Sequence, residues 1–216
     1  MADMLGPAYE YLAFFGKVNA SVSHEIKNVL ATISETSGLM GDLVEIAQDG
    51  GALDLARFSA LCNRIVTQVQ RGNGIIRNMN RFAHSVDTPL VRLDAVDMTR
   101  FLASLYERFA AIRGVTLSAG EADEAVLTTS PYGLAHLVFR LLMLSLEHAQ
   151  KGDAISLNVV AESPSGVLLS LGPVRTPAEA VAAEAAGHHQ VMSSRVALDP
   201  ATGLIQIRLS DQQEGA

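Results

Sequence analysis

Two long apolar stripes at helical spacing, separated by Asp49-Gly50-Gly51, constrain this chain more than any other feature. From Phe15 the first runs through Val18, Val22, Ile26, Val29, Ile33, Met40, Leu43, Val44 and Ala47. Steps of three and four put these residues on one side of a helix. That helix is expected to begin near Pro7 and to stop before Asp49, where two glycines follow an acid. The second stripe is Leu55, Phe58, Leu61, Cys62, Ile65, Val69, Ile76, Met79 and Phe82. Gly72 and Gly74 interrupt it, each at about 1 kcal/mol relative to alanine, which predicts a kink or a close helix contact there. The second helix should end near Ser85, before Thr88-Pro89.

A hairpin of two helices cannot enclose a core. An identical hairpin completes it most simply, as a four-helix bundle across a two-fold axis. Packing of the hairpin on its own C-terminal region is the alternative.

After residue 88 the periodicity changes. Val91-Arg92-Leu93, Val115-Thr116-Leu117 and Ala125-Val126-Leu127 read as short strands, as do Ala154 to Ala161 and Val167 to Leu171. Met98 to Ile112, Tyr132 to Ala149 and Ala178 to Ala186 read as helices. Arg195 to Leu198 and Leu204 to Leu209 form a closing hairpin through Asp199-Pro200-Ala201-Thr202-Gly203. The expected fold is α+β: residues 1–86 as a helical-hairpin dimerisation domain, and residues 87–216 as an α/β sandwich.

Composition removes several function classes. The 216 residues carry a formal charge of −7 with no long basic run, which disfavours nucleic-acid binding. The single cysteine, Cys62, makes neither a disulfide framework nor a cysteine-based zinc site, and its apolar neighbours predict a buried thiol. No apolar run approaches the ~20 residues that span a bilayer. No basic segment precedes an apolar one at the N-terminus, so a signal peptide is not expected and the cytoplasm follows by default.

The chemistry sits in Ser21-Val22-Ser23-His24-Glu25-Ile26-Lys27-Asn28-Val29-Leu30. At ~100° per residue, His24 lies almost opposite the centre of the apolar stripe and faces water. Asn28 is one turn on and shares its face, and Glu25 is adjacent. An exposed imidazole is a nucleophile toward phosphorus when one nitrogen is free and the other is held. A carboxylate can take the proton of the second nitrogen, and an amide one turn away can bond a phosphoryl oxygen. Ala31, Thr32, Glu35 and Leu39 share or border this face toward the turn, and with Lys27 they are the expected partner surface. Ala31 is small enough to admit a partner helix.

Ser-His-Glu-Ile-Lys-Asn resembles the H-box of two-component histidine kinases, written H-E-x-[KR]-[NT]-P, at His24, Glu25, Lys27 and Asn28. The helix-turn-helix around it has the length of that family's dimerisation and phosphotransfer hairpin. The resemblance implies that His24 is the phosphoacceptor, that Glu25 assists proton transfer and that Asn28 supports a phosphatase activity. Val29 stands where the family has proline, so the family's bend just past the histidine is not expected.

The order of elements after Val91 is similar to the family's ATP-binding domain, but the motifs are not. Arg140 and Leu144 fall where two asparagines hold the magnesium of the nucleotide. Leu169-Ser170-Leu171-Gly172-Pro173 has no carboxylate to read adenine and one glycine. No glycine-rich lid follows; Ala185-Ala186-Gly187-His188-His189 is no substitute. A degenerate kinase-type domain without a cofactor is therefore expected, with any magnesium supplied by a partner.

The resemblance implies a homodimeric, cytoplasmic phosphotransfer protein. It would exchange a phosphoryl group between His24 and the aspartate of a response-regulator receiver domain, with no nucleic acid, membrane or metal. The alternatives are a module that sequesters a regulator or kinase without catalysis, a phosphatase of a phosphorylated receiver, and a kinase with a divergent nucleotide site. His188-His189 with Glu184 reads as a polar loop before a metal site. His136 and His148 are expected to be partly buried and structural, and His84 to sit at a helix end.

Overall fold

A computed structural model describes residues 6–162, 166–186 and 194–212. The elements run α1 (Gly6–Gln48), α2 (Leu55–His84), β1 (Val91–Asp94), α3 (Ala95–Ile112), β2 (Thr116–Ala119) and β3 (Val126–Thr129). They continue α4 (Pro131–His148), β4 (Ala154–Glu162), β5 (Gly166–Gly172), α5 (Ala178–Ala186), β6 (Ser194–Asp199) and β7 (Leu204–Ser210). The fold is α+β, with N-terminal helices followed by an α/β layer. Phe15–Asn80 make one compact unit, and Met1–Phe14 with Arg81–Ala216 make the other.

The first unit is an antiparallel pair formed by α1 and α2. Val22, Val29, Thr36 and Leu43 are its buried line on α1, at a strict spacing of seven. Val29 no longer needs a bend: α1 is continuous through it. Thr36 is buried without cost because its hydroxyl donates to Thr32 O at 2.6 Å. On α2, as far as Asn80, the buried positions are Leu61 and Gly72. A Cβ on Gly72 would stand 3.3 Å from Val29 Cγ1, so this glycine permits the close helix contact expected from its position.

This pair has two unlike sides. On one, Ile26, Ile33 and Met40 of α1 are half-buried. Beside them α2 presents Leu55, Cys62, Val69 and Ile76, again seven apart, with Leu55 71 %, Val69 46 % and Ile76 49 % exposed. Cys62 is half-buried rather than buried, because it belongs to this open stripe and not to the seam with α1. The other side is polar and carries His24.

The second unit is built on a five-stranded sheet of order β2-β4-β5-β7-β6. β2 runs parallel to β4 and the remaining pairs are antiparallel. β1 and β3 form a separate antiparallel ribbon. Strand alternation sends Ile155, Leu157, Val159, Leu169, Leu171, Ile205 and Ile207 into the core. α3 packs on β2 and β4, α4 on α3 and α5, and α5 on β6. The opposite face carries Ser156, Asn158, Ser170, Gln206 and Arg208 and stays open to water. Asp94 caps α3 through Val96 N at 3.0 Å, and Ser130 caps α4 through Gly133 N at 3.1 Å.

An aromatic cluster ties the first turns of α1 to α4. Phe14 meets Phe82 edge-on at 5.4 Å between centroids, and Tyr132, His136 and Phe139 at 5.5, 5.0 and 4.9 Å. His136 is buried as expected; His148, in the last turn of the same helix, is exposed because that turn has left the core. The Tyr132 hydroxyl donates to Tyr11 O at 2.8 Å, and burial, then the neighbouring Tyr11, push its phenol up to about 12. Tyr106, donating to Ala135 O at 2.8 Å, is pushed well above the usual phenol range by burial.

A tyrosine in the unfolded chain ionises near pH 10, so between about pH 10 and about 12 the folded chain holds more protons and its stability falls. Tyr132→Phe should cost about 1 kcal/mol at neutral pH through the lost hydrogen bond. It should also make the alkaline decline shallower, as read by denaturant titration across that window. An unchanged slope would contradict the assignment.

Candidate functional site

Helix α1 fixes the backbone of the sequence-derived site, and helical spacing sorts its side chains. His24, Lys27, Asn28, Ala31 and Glu35 are exposed; Glu25, Thr32 and Leu39 are half-buried. Asn28 is about 40° round the helix from His24 and one turn on, so an atom held by the imidazole lies within reach of its amide. Lys27 lies about 60° to the opposite side of His24. Thr32 is turned inward along the helix, its hydroxyl donating to Asn28 O at 3.0 Å. Glu35 reaches across to α2, where Arg64 Nη2 stands 3.9 Å from Oε2. Both partners are largely exposed, so the pair marks proximity more than stability.

That ion pair identifies which edge of α2 borders the His24 face. It is the edge carrying Arg57, Arg64 and Arg71, a line of cations at intervals of seven. These residues lie off the apolar stripe of α2 by which the sequence marks that helix. Their spacing was visible; which side of the hairpin they border was not.

Several other titratable groups are engaged away from this site. His84 Nδ1 is 2.7 Å from Asp87 Oδ2 at the end of α2. Asp153 is held below the usual carboxylate range by a hydrogen bond from Arg175. Among the described residues, no group of three or more His, Cys, Asp or Glu is arranged to hold a metal. His188 and His189 lie outside the described residues. Glu184, the third member of that candidate, accepts from Arg140 Nε at 2.6 Å.

At the positions that the resemblance matches to a nucleotide site, the side chains are engaged with one another or are apolar. Arg140 is engaged by Glu184 and, at 3.7 Å, by Glu10, and its guanidinium is held more strongly protonated by the Glu184 bond. A cation there repels the magnesium that an asparagine would bind. Leu144 has no ligand atom. Leu169 and Leu171 are buried with no carboxylate between them, and a Cβ at Gly172 would lie 2.8 Å from Gly203 O.

No family model matches the chain, and no curated protein does. Among solved structures it is similar to an Acinetobacter baumannii histidine kinase, AdeS, at 10% identity and a TM-score of 0.46, over 82% of this chain and 96% of that one. It is similar to full-length ShkA in complex with AMPPNP at 12% identity and a TM-score of 0.49, over 88% and 47%. The ATP binding domain of PrrB from Mycobacterium tuberculosis gives 18% identity and a TM-score of 0.47, over 58% and 100%. At these identities and TM-scores the function rests on this chain's own residues. No helix among the described residues is long and apolar enough to cross a membrane.

Proposed function

We propose that this chain is a cytoplasmic histidine phosphotransfer protein of two-component signalling, working as a homodimer without ATP. The observation that carries the reading is an exposed imidazole on a long helix, in an H-box-like motif, with Asn28 one turn away on the same face. Residues 1–86 are the dimerisation and transfer part, and residues 87–216 the degenerate kinase-type part.

The partner is a receiver domain carrying an aspartyl phosphate and its own magnesium. The lone pair of one His24 nitrogen attacks phosphorus, the bond from phosphorus to the aspartyl oxygen breaks, and the aspartate leaves as a carboxylate. The proton on the second imidazole nitrogen passes to Glu25 or to water. The reverse reaction returns the phosphoryl group to a receiver. The protein's part is positioning and charge stabilisation, which suffices for a group that crosses a loose transition state. Lys27, Ala31, Thr32, Glu35 and Leu39 form the docking surface, and Asn28 supports hydrolysis of a receiver phosphate. The open stripe Leu55, Cys62, Val69 and Ile76, with Ile26, Ile33 and Met40, favours a second hairpin as its cover.

The test is a transfer assay with a panel of phosphorylated receiver domains, no nucleotide present. The expected result is an acid-labile, alkali-stable label that maps to His24. Label on no residue, or only in the presence of ATP, would defeat the proposal.

A further inference from the structure

Helix α2 is unusual for a chain of formal charge −7: it contains five arginines and no acidic residue. Three of them, Arg57, Arg64 and Arg71, lie on one line about 21 Å long. The Arg64–Glu35 pair at 3.9 Å sets the register of this line against α1. In an antiparallel pair, seven residues forward on α2 and seven back on α1 move the same way. Arg71 therefore comes level with Asn28, and Arg57 level with Asp42. Gly72 standing against Val29 agrees with that register.

The residues opposite the three cations are Asp42, Glu35 and Asn28. The carboxylate is replaced by an amide only at the rung beside His24. Arg71 is exposed and has no ion pair among the described residues. A guanidinium level with an amide, and engaged in no ion pair, is suited to a dianionic phosphoryl group, which it can bind through two parallel N–H donors.

We infer that Arg71, with Asn28, is the phosphoryl-binding group of the His24 site, holding the oxygens of the phosphoryl group as it arrives and while it rests on the imidazole. This rests on the phosphotransfer reading above. Arg71 forms no covalent bond; it donates to two oxygens whose charge persists through transfer. Arg64, paired with Glu35, and Arg57, two heptads away, do not share the role.

The experiment uses the full chain, labelled by the best receiver of the panel and separately by phosphoramidate. With phosphoramidate no docking surface is involved: the His24 nitrogen bonds to phosphorus and ammonia leaves. Arg71→Gln should slow labelling from both donors by about tenfold to a hundredfold, the range of one charge-assisted hydrogen bond. The loss should appear in KM for phosphoramidate as well as in rate, and Arg71→Lys should recover part of it. Arg57→Gln, of equal charge change, should stay within about twofold of the parent, since exposed charges more than a Debye length apart are screened. Circular dichroism confirms that each variant is folded.

Labelling of Arg71→Gln at the parent rate and KM would overturn the inference while leaving phosphotransfer intact. So would an equal loss in Arg57→Gln, which would indicate only a general field. A parent protein that accepts no label from any receiver would overturn phosphotransfer itself and this inference with it.

Discussion

His24→Ala should accept no phosphoryl label, at least about a thousandfold below the parent, as expected when a covalent nucleophile is removed. The reason is chemical. The side chains beside it, Glu25, Lys27 and Asn28, provide no second imidazole to form the phosphorus–nitrogen bond. Among the other described histidines, His136 is buried, His84 is held by Asp87, and His148, though exposed, stands in the last turn of α4 outside the H-box-like motif. Because position 24 is exposed and within a regular helix, the substitution should change stability by less than about 0.5 kcal/mol. A melt matching the parent then makes loss of label a loss of chemistry. Asn28→Ala should keep the label site and lose hydrolysis of the receiver phosphate. If His24→Ala takes label as well as the parent, or leaves every downstream response intact, the hairpin is a docking module and the histidine is not its working group.

The second large effect concerns the open apolar side. Val69→Glu with Ile76→Glu places two carboxylates in the middle of the stripe that a second hairpin would cover. An unpaired buried charge costs about 3–5 kcal/mol, and two-fold symmetry presents each substitution twice. Dimer dissociation should therefore shift by at least about four decades, far enough to give monomer by sedimentation at micromolar protein. Both side chains are already half-exposed in the single chain, so the hairpin itself should keep its helicity. A parent that sediments as a monomer at the highest attainable concentration would remove the bundle, and the stripe would need another cover.

The hairpin was legible because its signals are local. Asp49-Gly50-Gly51 ends α1 at Gln48, and the spacing of Leu55 to Phe82 traces α2 to within a residue or two. The strands were also legible from alternation, as at Ile155, Leu157 and Val159. What one helix cannot reveal is its neighbour. Cys62 belongs to the same periodic set as Leu61, yet only the position of α1 decides that one faces the seam and the other the open side. His148 lies on an apolar helix, but that helix outlasts the core by a turn. Arg57, Arg64 and Arg71 could be counted from the sequence, while their place beside Glu35 and Asn28 required the interhelical register. The pairing of β1 with β3, apart from the main sheet, carried no local signal.

The parallel join of β2 to β4 has a kinetic side. Antiparallel neighbours such as β4 and β5 meet through a short connection, whereas β2 must wait for β3 and the whole of α4 to be laid down before its partner arrives. Loop closure of that length is slow relative to hairpin formation. During synthesis, a nascent chain that has emerged only as far as His148 would expose much of the apolar surface of α3 and α4, with β2 the one strand of the main sheet yet made, and chaperones would find this protein most vulnerable at that moment.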